Sequence, residues 1–147
     1  MDKKRLQMKK YILTLVAAIA MLPSMAQKAQ PEITFERTTI NLGTFPAEEA
    51  IKICHFVFTN TGNADLYIHQ AFASCGCTAV QTPEGAIKPG ASDTITIRYD
   101  GRRKAPGKMR KSVTIHNNSQ NEMIKLYITG KMLPIKEQQV EEIVVEE

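Results

Sequence analysis

The residues best suited to chemistry are two cysteines separated by one glycine, Cys75-Gly76-Cys77, and a third upstream, Cys54. In extended backbone the i and i+2 side chains point to one side, so both thiols of the pair face the same way. Their Cα separation then falls near the upper end of the disulfide range, and Gly76 can bend the chain to shorten it. A bridge closed over so small a loop is strained and more readily reduced than a structural one. Three arrangements stay open: a Cys75–Cys77 bridge, a cross-strand bridge from Cys54 to one of the pair, or free thiols. Cys54 shares a strand face with Phe56 and Phe58, which suits an inert thiol packed as a small hydrophobe. For the pair, a local structural role competes with redox or metal chemistry. The adjoining sequence supplies neither the basic residue nor the helix N-terminus that lowers a thiol pKa.

Metal chemistry has little else to work with. Two thiolates need at least one more ligand, and His55, His69 and His116 are scattered singly with no metal-ligand spacing from the pair. No metal and no cofactor are expected. The chain has no C-x-x-C-H, G-x-S-x-G, H-E-x-x-H or phosphate-binding loop motif. Glu48 and Glu49 adjoin Pro46 in a turn, where carboxylates are solvated. With no Trp, four Tyr and five Phe, an aromatic platform for sugars is poorly supported. The expectation is a protein that is not an enzyme.

A second cluster is electrostatic. Arg98, Arg102, Arg103, Lys104, Lys108, Arg110 and Lys111 lie within a short segment that holds Asp100 as its acid, and Gly101, Pro106 and Gly107 make its centre a loop. Nucleic-acid binding calls for stacking aromatics beside such charge, and only Tyr99 is close. A solvated hairpin loop is the simplest reading. A polyanionic partner, or the acidic end of the same chain, is the sharper one.

The elements that carry these residues are strands. From Ile33 onward, short alternating runs are separated by turn chemistry: Ile33 and Phe35, residues 40–45, residues 51–58, Leu66 to Phe72, residues 94–99, Val113 and Ile115, and Ile124 to Ile128. Asn60-Thr61-Gly62, Lys88-Pro89-Gly90 and Asn117-Asn118-Ser119 punctuate them. Seven to eight strands without a convincing internal helix predict an all-β, antiparallel β-sandwich. No internal repeat is visible.

The 147 residues carry a formal charge of +4, with 19 basic and 15 acidic side chains. Five of the basic groups and one acid fall in residues 1–26, where Lys9 and Lys10 precede an apolar run from Tyr11 to Leu22. Pro23 then breaks the run, and Ser24-Met25-Ala26 places small residues before a cut between Ala26 and Gln27. That is the pattern of a secretory signal peptide, too short to span a bilayer, and no Cys follows the cut to take a lipid. The rest is neutral, because 14 basic groups meet 14 acids. Five of those acids, Glu137, Glu141, Glu142, Glu146 and Glu147, crowd the tail and leave residues 27–136 at +5. The expected organisation is a signal peptide (1–26), a short lead-in (27–32), the sandwich (33–133) and an acidic tail (134–147).

Leu42-Gly43-Thr44-Phe45, Phe56-Val57-Phe58-Thr59-Asn60-Thr61-Gly62, Leu66-Tyr67-Ile68, Ser74-Cys75-Gly76-Cys77-Thr78 and Ile87-Lys88-Pro89-Gly90 follow one another over residues 38–131. This series resembles the bacterial family of proteins known as domain of unknown function 1573. The resemblance implies an Ig-like sandwich, akin to the major-sperm-protein-like class, in exported bacterial proteins. It implies no established activity. Its hallmark maps onto Cys75, Gly76 and Cys77, and Cys54 lies outside it. In this setting Gly62 is expected to take a positive φ while Asn60 bonds the turn backbone.

Three functions follow as expectations. The first is an exported, non-enzymatic module that binds another envelope protein or a polyanionic surface polymer, with no nucleic acid and no transmembrane anchor once the leader is removed. Its contacts would be sheet edges and the 98–111 segment. The second is a redox-active or metal-binding dithiol at Cys75 and Cys77. The third is a chaperone-like or adhesive assembly subunit that pairs strands with its partners.

Overall fold

The computed structural model describes residues 28–135; the expected signal peptide with its expected cut between Ala26 and Gln27, and residues 136–147 of the expected acidic tail, lie outside the described residues. Eight strands follow in order: β1 (Ile33–Phe35), β2 (Thr39–Pro46), β3 (Ile51–Asn60), β4 (Ile68–Ala73), β5 (Thr78–Gln81), β6 (Ser92–Asp100), β7 (Gly107–Asn117) and β8 (Met123–Leu133). A short 3-10 turn, Ala47–Glu49, separates β2 from β3. The strands form two sheets, ordered β1-β3-β6-β5 and β2-β8-β7-β4.

Alternation along the strands explains why the two sheets close on each other. On β3, Cys54, Phe56, Phe58 and Asn60 point inward, while their neighbours are more exposed. Ile95, Ile97 and Tyr99 do the same on β6, Val113 and Ile115 on β7, and Leu126 and Ile128 on β8. Phe56, Phe58, Leu66, Ile95, Ile115 and Leu126 are fully buried. Each such side chain contributes about 1.5–3 kcal/mol relative to an exposed position.

The expected architecture is present, with three local differences. Five pairings are antiparallel, but β2 runs parallel to β8. The chain leaves β1 after three residues and crosses to the opposite sheet, where it meets the last strand from the same direction. A parallel pair needs a long connection, and here the whole domain provides it. Secondly, the strand that the pattern did not reveal is β5, four residues long and paired with β6. Thirdly, Leu66 stands alone in a two-bond bridge to Ile87, and β4 begins at Ile68.

Asn60 closes β3 as a buried hub. Its Oδ1 accepts from Gly62 N–H at 3.1 Å and Glu32 N–H at 3.4 Å, and its Nδ2 donates to Ala64 O and Ile87 O at 2.8 Å each. Gly62 does not have a positive φ. Glycine is required there for a different reason: a Cβ would lie 2.4 Å from Gln30 O and from Glu32 N, backbone atoms of the segment that leads into β1.

Candidate functional site

The segment Ser74–Cys77 joins β4, an edge of one sheet, to β5, an edge of the other. Ser74 ends β4 by donating its N–H to Ser112 O at 2.9 Å, and its Oγ accepts from Ser112 N–H at 3.0 Å. Thr78 N–H then bonds Cys75 O at 3.2 Å, and Asp100 N–H bonds Cys77 O at 2.8 Å. The pair therefore sits in a turn, not in the extended backbone expected from its spacing. The turn sets the Cα atoms of Cys75 and Cys77 5.2 Å apart and brings their sulfurs to disulfide distance. Gly76 takes no positive φ, and a Cβ there would meet nothing within 4 Å.

Polar groups surround the sulfurs. Cys77 N–H donates to Cys75 Sγ at 3.3 Å, and Thr78 Oγ1 lies 3.5 Å from Cys75 Sγ and 3.8 Å from Cys77 Sγ. Cys75 is half-buried, whereas Cys77 is 8% exposed. A cavity of about 200 Å3 opens beside Cys77, lined by Gly76, Cys77, Asp100, Arg103 and Lys104. The expectation that no basic residue stands near the pair is thus corrected. The cations come from the β6–β7 loop, which the β5–β6 pairing folds against the turn.

Cys54 takes no part. It is buried and free, opposite Ile97 in the β3–β6 ladder, so a cross-strand bridge to the pair is not formed. Burial pushes its thiol pKa up to about 11, and at neutral pH it stays protonated.

The basic segment is not one loop but three groups. Asp100 holds Arg102 through two bonds, Nε to Oδ1 at 3.0 Å and Nη2 to Oδ2 at 2.6 Å, and lies 3.7 Å from Arg98. The Arg102 guanidinium and backbone N–H keep the Asp100 carboxyl well below the usual carboxylate range. Arg103 and Lys104 form the second group, at the cavity beside Cys77, and neither joins any of the four ion pairs among the described residues. The third group lies on β7, which starts at Gly107, earlier than the turn residues suggested. Lys108 and Arg110 project from its outer side. Lys111 is half-buried on the other side, opposite Ile128.

Across that outer face, Lys108 pairs with Lys131, Arg110 with Thr129, Ser112 with Tyr127, and Thr114 with Lys125. Thr39, Asn41 and Thr44 continue the rows on β2, as Gln70 and Phe72 do on β4. Lys108, Arg110, Lys125 and Lys131 therefore share one face, and none of the residues registered on it is acidic. The Arg110 guanidinium stacks 4.3 Å above the Tyr127 ring, and Phe72 meets His116 edge-on at 5.4 Å. Tyr99, the aromatic closest in sequence, is instead buried in the core, and burial raises its hydroxyl pKa. A shallow groove of about 310 Å3 lies between Lys108 and Lys131, where β2 shifts register between Asn41 and Thr44. The spacing of charges along β7 predicts part of this face. The contribution of Lys125, Tyr127 and Lys131 depends on the β7–β8 register, which no local pattern encodes.

The three histidines stay apart. His55 Nδ1 lies 3.1 Å from Thr96 Oγ1, its neighbour in the β3–β6 ladder, His69 is exposed, and among the described residues no three His, Cys, Asp or Glu side chains gather to hold a metal.

Two four-stranded sheets closed over one core make an Ig-like sandwich. Similar solved structures include a protein of unknown function from Porphyromonas gingivalis, at TM-score 0.63 and 16% identity over 76% of this chain. This chain spans about half of that protein, 51% of its length. A PapD-like domain of human CEP192 has TM-score 0.57 and 11% identity, covering 79% of this chain and 95% of that one. The periplasmic chaperone SfaE has TM-score 0.50 and 14% identity, covering 70% and 58%. At such identities the likeness shows the fold alone. Residues 33–132 match the family described as Protein of unknown function (DUF1573), and the chain belongs to that family. No curated protein matches the chain.

Proposed function

We propose that this chain is an exported, non-enzymatic module of the bacterial envelope that holds an acidic partner, an envelope protein or a surface polymer, on the outer face of the β2-β8-β7-β4 sheet. The observation that carries the reading is the registry of Lys108, Arg110, Lys125 and Lys131 on one face without a carboxylate among them. Unpaired like charges on a rigid sheet raise the local potential and attract anions over roughly a Debye length, about 8 Å at physiological salt. Tyr127 holds the Arg110 fork in place, so less side-chain entropy is lost on binding. The groove between Lys108 and Lys131 gives an anionic group somewhere to sit.

Affinity capture from envelope extracts, with crosslinking and across a salt series, tests this. The expected result is a specific partner that is retained at low salt and lost with the Lys108→Glu/Lys131→Glu variant. Recovery of no specific partner, or equal capture by the charge-reversed protein, overturns it.

A second reading is a chaperone-like or adhesive assembly subunit. Support comes from the open sheets, which leave β1, β5, β2 and β4 as edges able to accept a partner strand. A stable monomer that adds no strand from any peptide offered to it argues against this reading.

A further inference from the structure

We propose that Cys75 and Cys77 form a disulfide that exchanges with a protein dithiol, Cys75 being the sulfur attacked and Cys77 the leaving group. The inference stands apart from the acidic-partner reading, because it uses a different group of the basic segment, Arg103 and Lys104.

A bridge here does little for the fold. The stabilisation a disulfide gives through the unfolded chain grows with the loop it closes, and a loop with one intervening residue sits at the low end of the range of about 0–5 kcal/mol. The turn is already fixed by the Thr78–Cys75 and Asp100–Cys77 backbone bonds and by the Ser74–Ser112 pair. What surrounds the sulfurs suits chemistry instead. Cys75 is the more accessible of the two, so a thiolate reaches it first. Cys77, the buried partner, faces the cavity that holds Arg103 and Lys104. Asp100 also lines that cavity, but its charge is committed to Arg102 and offsets the two free cations little. A thiolate released at Cys77 thus emerges beside positive charge and within 3.8 Å of the Thr78 hydroxyl. Both stabilise it as a leaving group.

The exchange runs in two displacements. The first thiolate of the partner attacks Cys75 Sγ; a partner–Cys75 bond forms, the Cys75–Cys77 bond breaks, and Cys77 leaves as a thiolate. The partner's second thiolate then attacks its own sulfur in the mixed disulfide and expels Cys75. The partner dithiol is oxidised to a disulfide, and two electrons pass to the Cys75–Cys77 pair. The two protons from the partner's thiols end on the released thiolates or in solvent.

The test uses the full chain, expressed with its leader and purified without reductant. Native protein is alkylated with iodoacetamide before and after dithiothreitol treatment, and the modified cysteines are located by peptide mass spectrometry. The expected result is a joined Cys75–Cys77 pair that opens fully under native conditions, with Cys54 unmodified throughout. The Arg103→Gln/Lys104→Gln variant is expected to react roughly three- to tenfold more slowly at neutral pH, with the gap closing in high salt. In a Cys77→Ser variant Cys75 is a free thiol that runs the exchange in reverse, attacking the disulfide of an oxidised partner; with no Cys77 thiolate to expel that partner, mixed disulfides at Cys75 are expected to accumulate in envelope extract. Free thiols at both positions in untreated protein, or a bridge that resists reduction until the protein unfolds, overturns the proposal. So does reduction of the double variant at the unmodified rate, because the cavity would then play no part.

Discussion

Two turns of this sandwich, 60–64 and 74–77, look alike in sequence, since each sets a glycine among small polar residues. They are built on opposite principles. In the first, the buried side chain is fully bonded: Asn60 makes four side-chain bonds, and Gly62 lets the lead-in to β1 pass where a Cβ would collide with its backbone. The second sheet repeats the device. Asn117 Oδ1 accepts from Ser119 N–H at 2.8 Å, and Asn117 Nδ2 donates to Asn121 O at 3.0 Å, the same i+2 and i+4 offsets. The cysteine turn, in contrast, leaves room around Gly76 and unpaired cations beside Cys77. A turn that spends its polar groups on its own backbone supports the fold. One that leaves charge facing a cavity is available for chemistry.

The largest expected effect falls on the first turn. Asn60→Ala strips partners from buried backbone groups and is expected to cost about 2–4 kcal/mol. In a domain of this size that lowers Tm by roughly 10–20 °C, measurable by thermal unfolding. Gly62→Ala forces backbone apart, with an expected cost of about 1–3 kcal/mol. If either variant melts with the parent, the scaffold role of this turn is wrong. Cys54→Ser comes next. Its hydroxyl replaces a thiol on the Phe56–Phe58 face of the core and is expected to cost about 1–3 kcal/mol, read from the urea midpoint.

The contrast between the turns was only half legible in the sequence. Strand alternation revealed the sandwich, because burial on one face of a strand writes itself at period two: Ile95, Ile97 and Tyr99 are in the core as their spacing requires. Asn60 was readable as a turn bond for the same local reason. The close approach behind Gly62 was not, since it involves Gln30 and Glu32 on another part of the chain. The cations beside Cys77 were missed on the same ground. Arg103 and Lys104 reach the cysteine turn only because β5, too short to show a pattern, pairs with β6. The parallel β2–β8 contact, and with it the groove between Lys108 and Lys131, likewise belongs to topology and not to any local run.

A smaller effect separates the groups of the basic segment. The Asp100 carboxyl is depressed by Arg102, so it stabilises the fold above its unfolded pKa of about 3.9 and loses that contribution as pH falls through the folded value. The side chains are largely solvated, so the effect is modest. Asp100→Asn is expected to lower stability at neutral pH and to match the parent in strong acid, as read from urea midpoints across an acid series. An equal deficit at every pH would mean that Asp100 acts through geometry and not charge.

The smallest effect is the most telling one for the comparison. Gly76→Ala adds a methyl group where nothing lies within 4 Å, at a residue without positive φ. Stability is expected to stay within about 0.5 kcal/mol of the parent, as for ordinary surface substitutions. The same exchange at Gly62 is disruptive, so the pair of variants asks one question of both turns with one added methyl group. If Gly76→Ala unfolds the domain, the cysteine turn is scaffold like its counterpart. If the fold is untouched and only the rate of reduction by dithiothreitol changes, the glycine serves access to the sulfurs, and the two turns differ in kind.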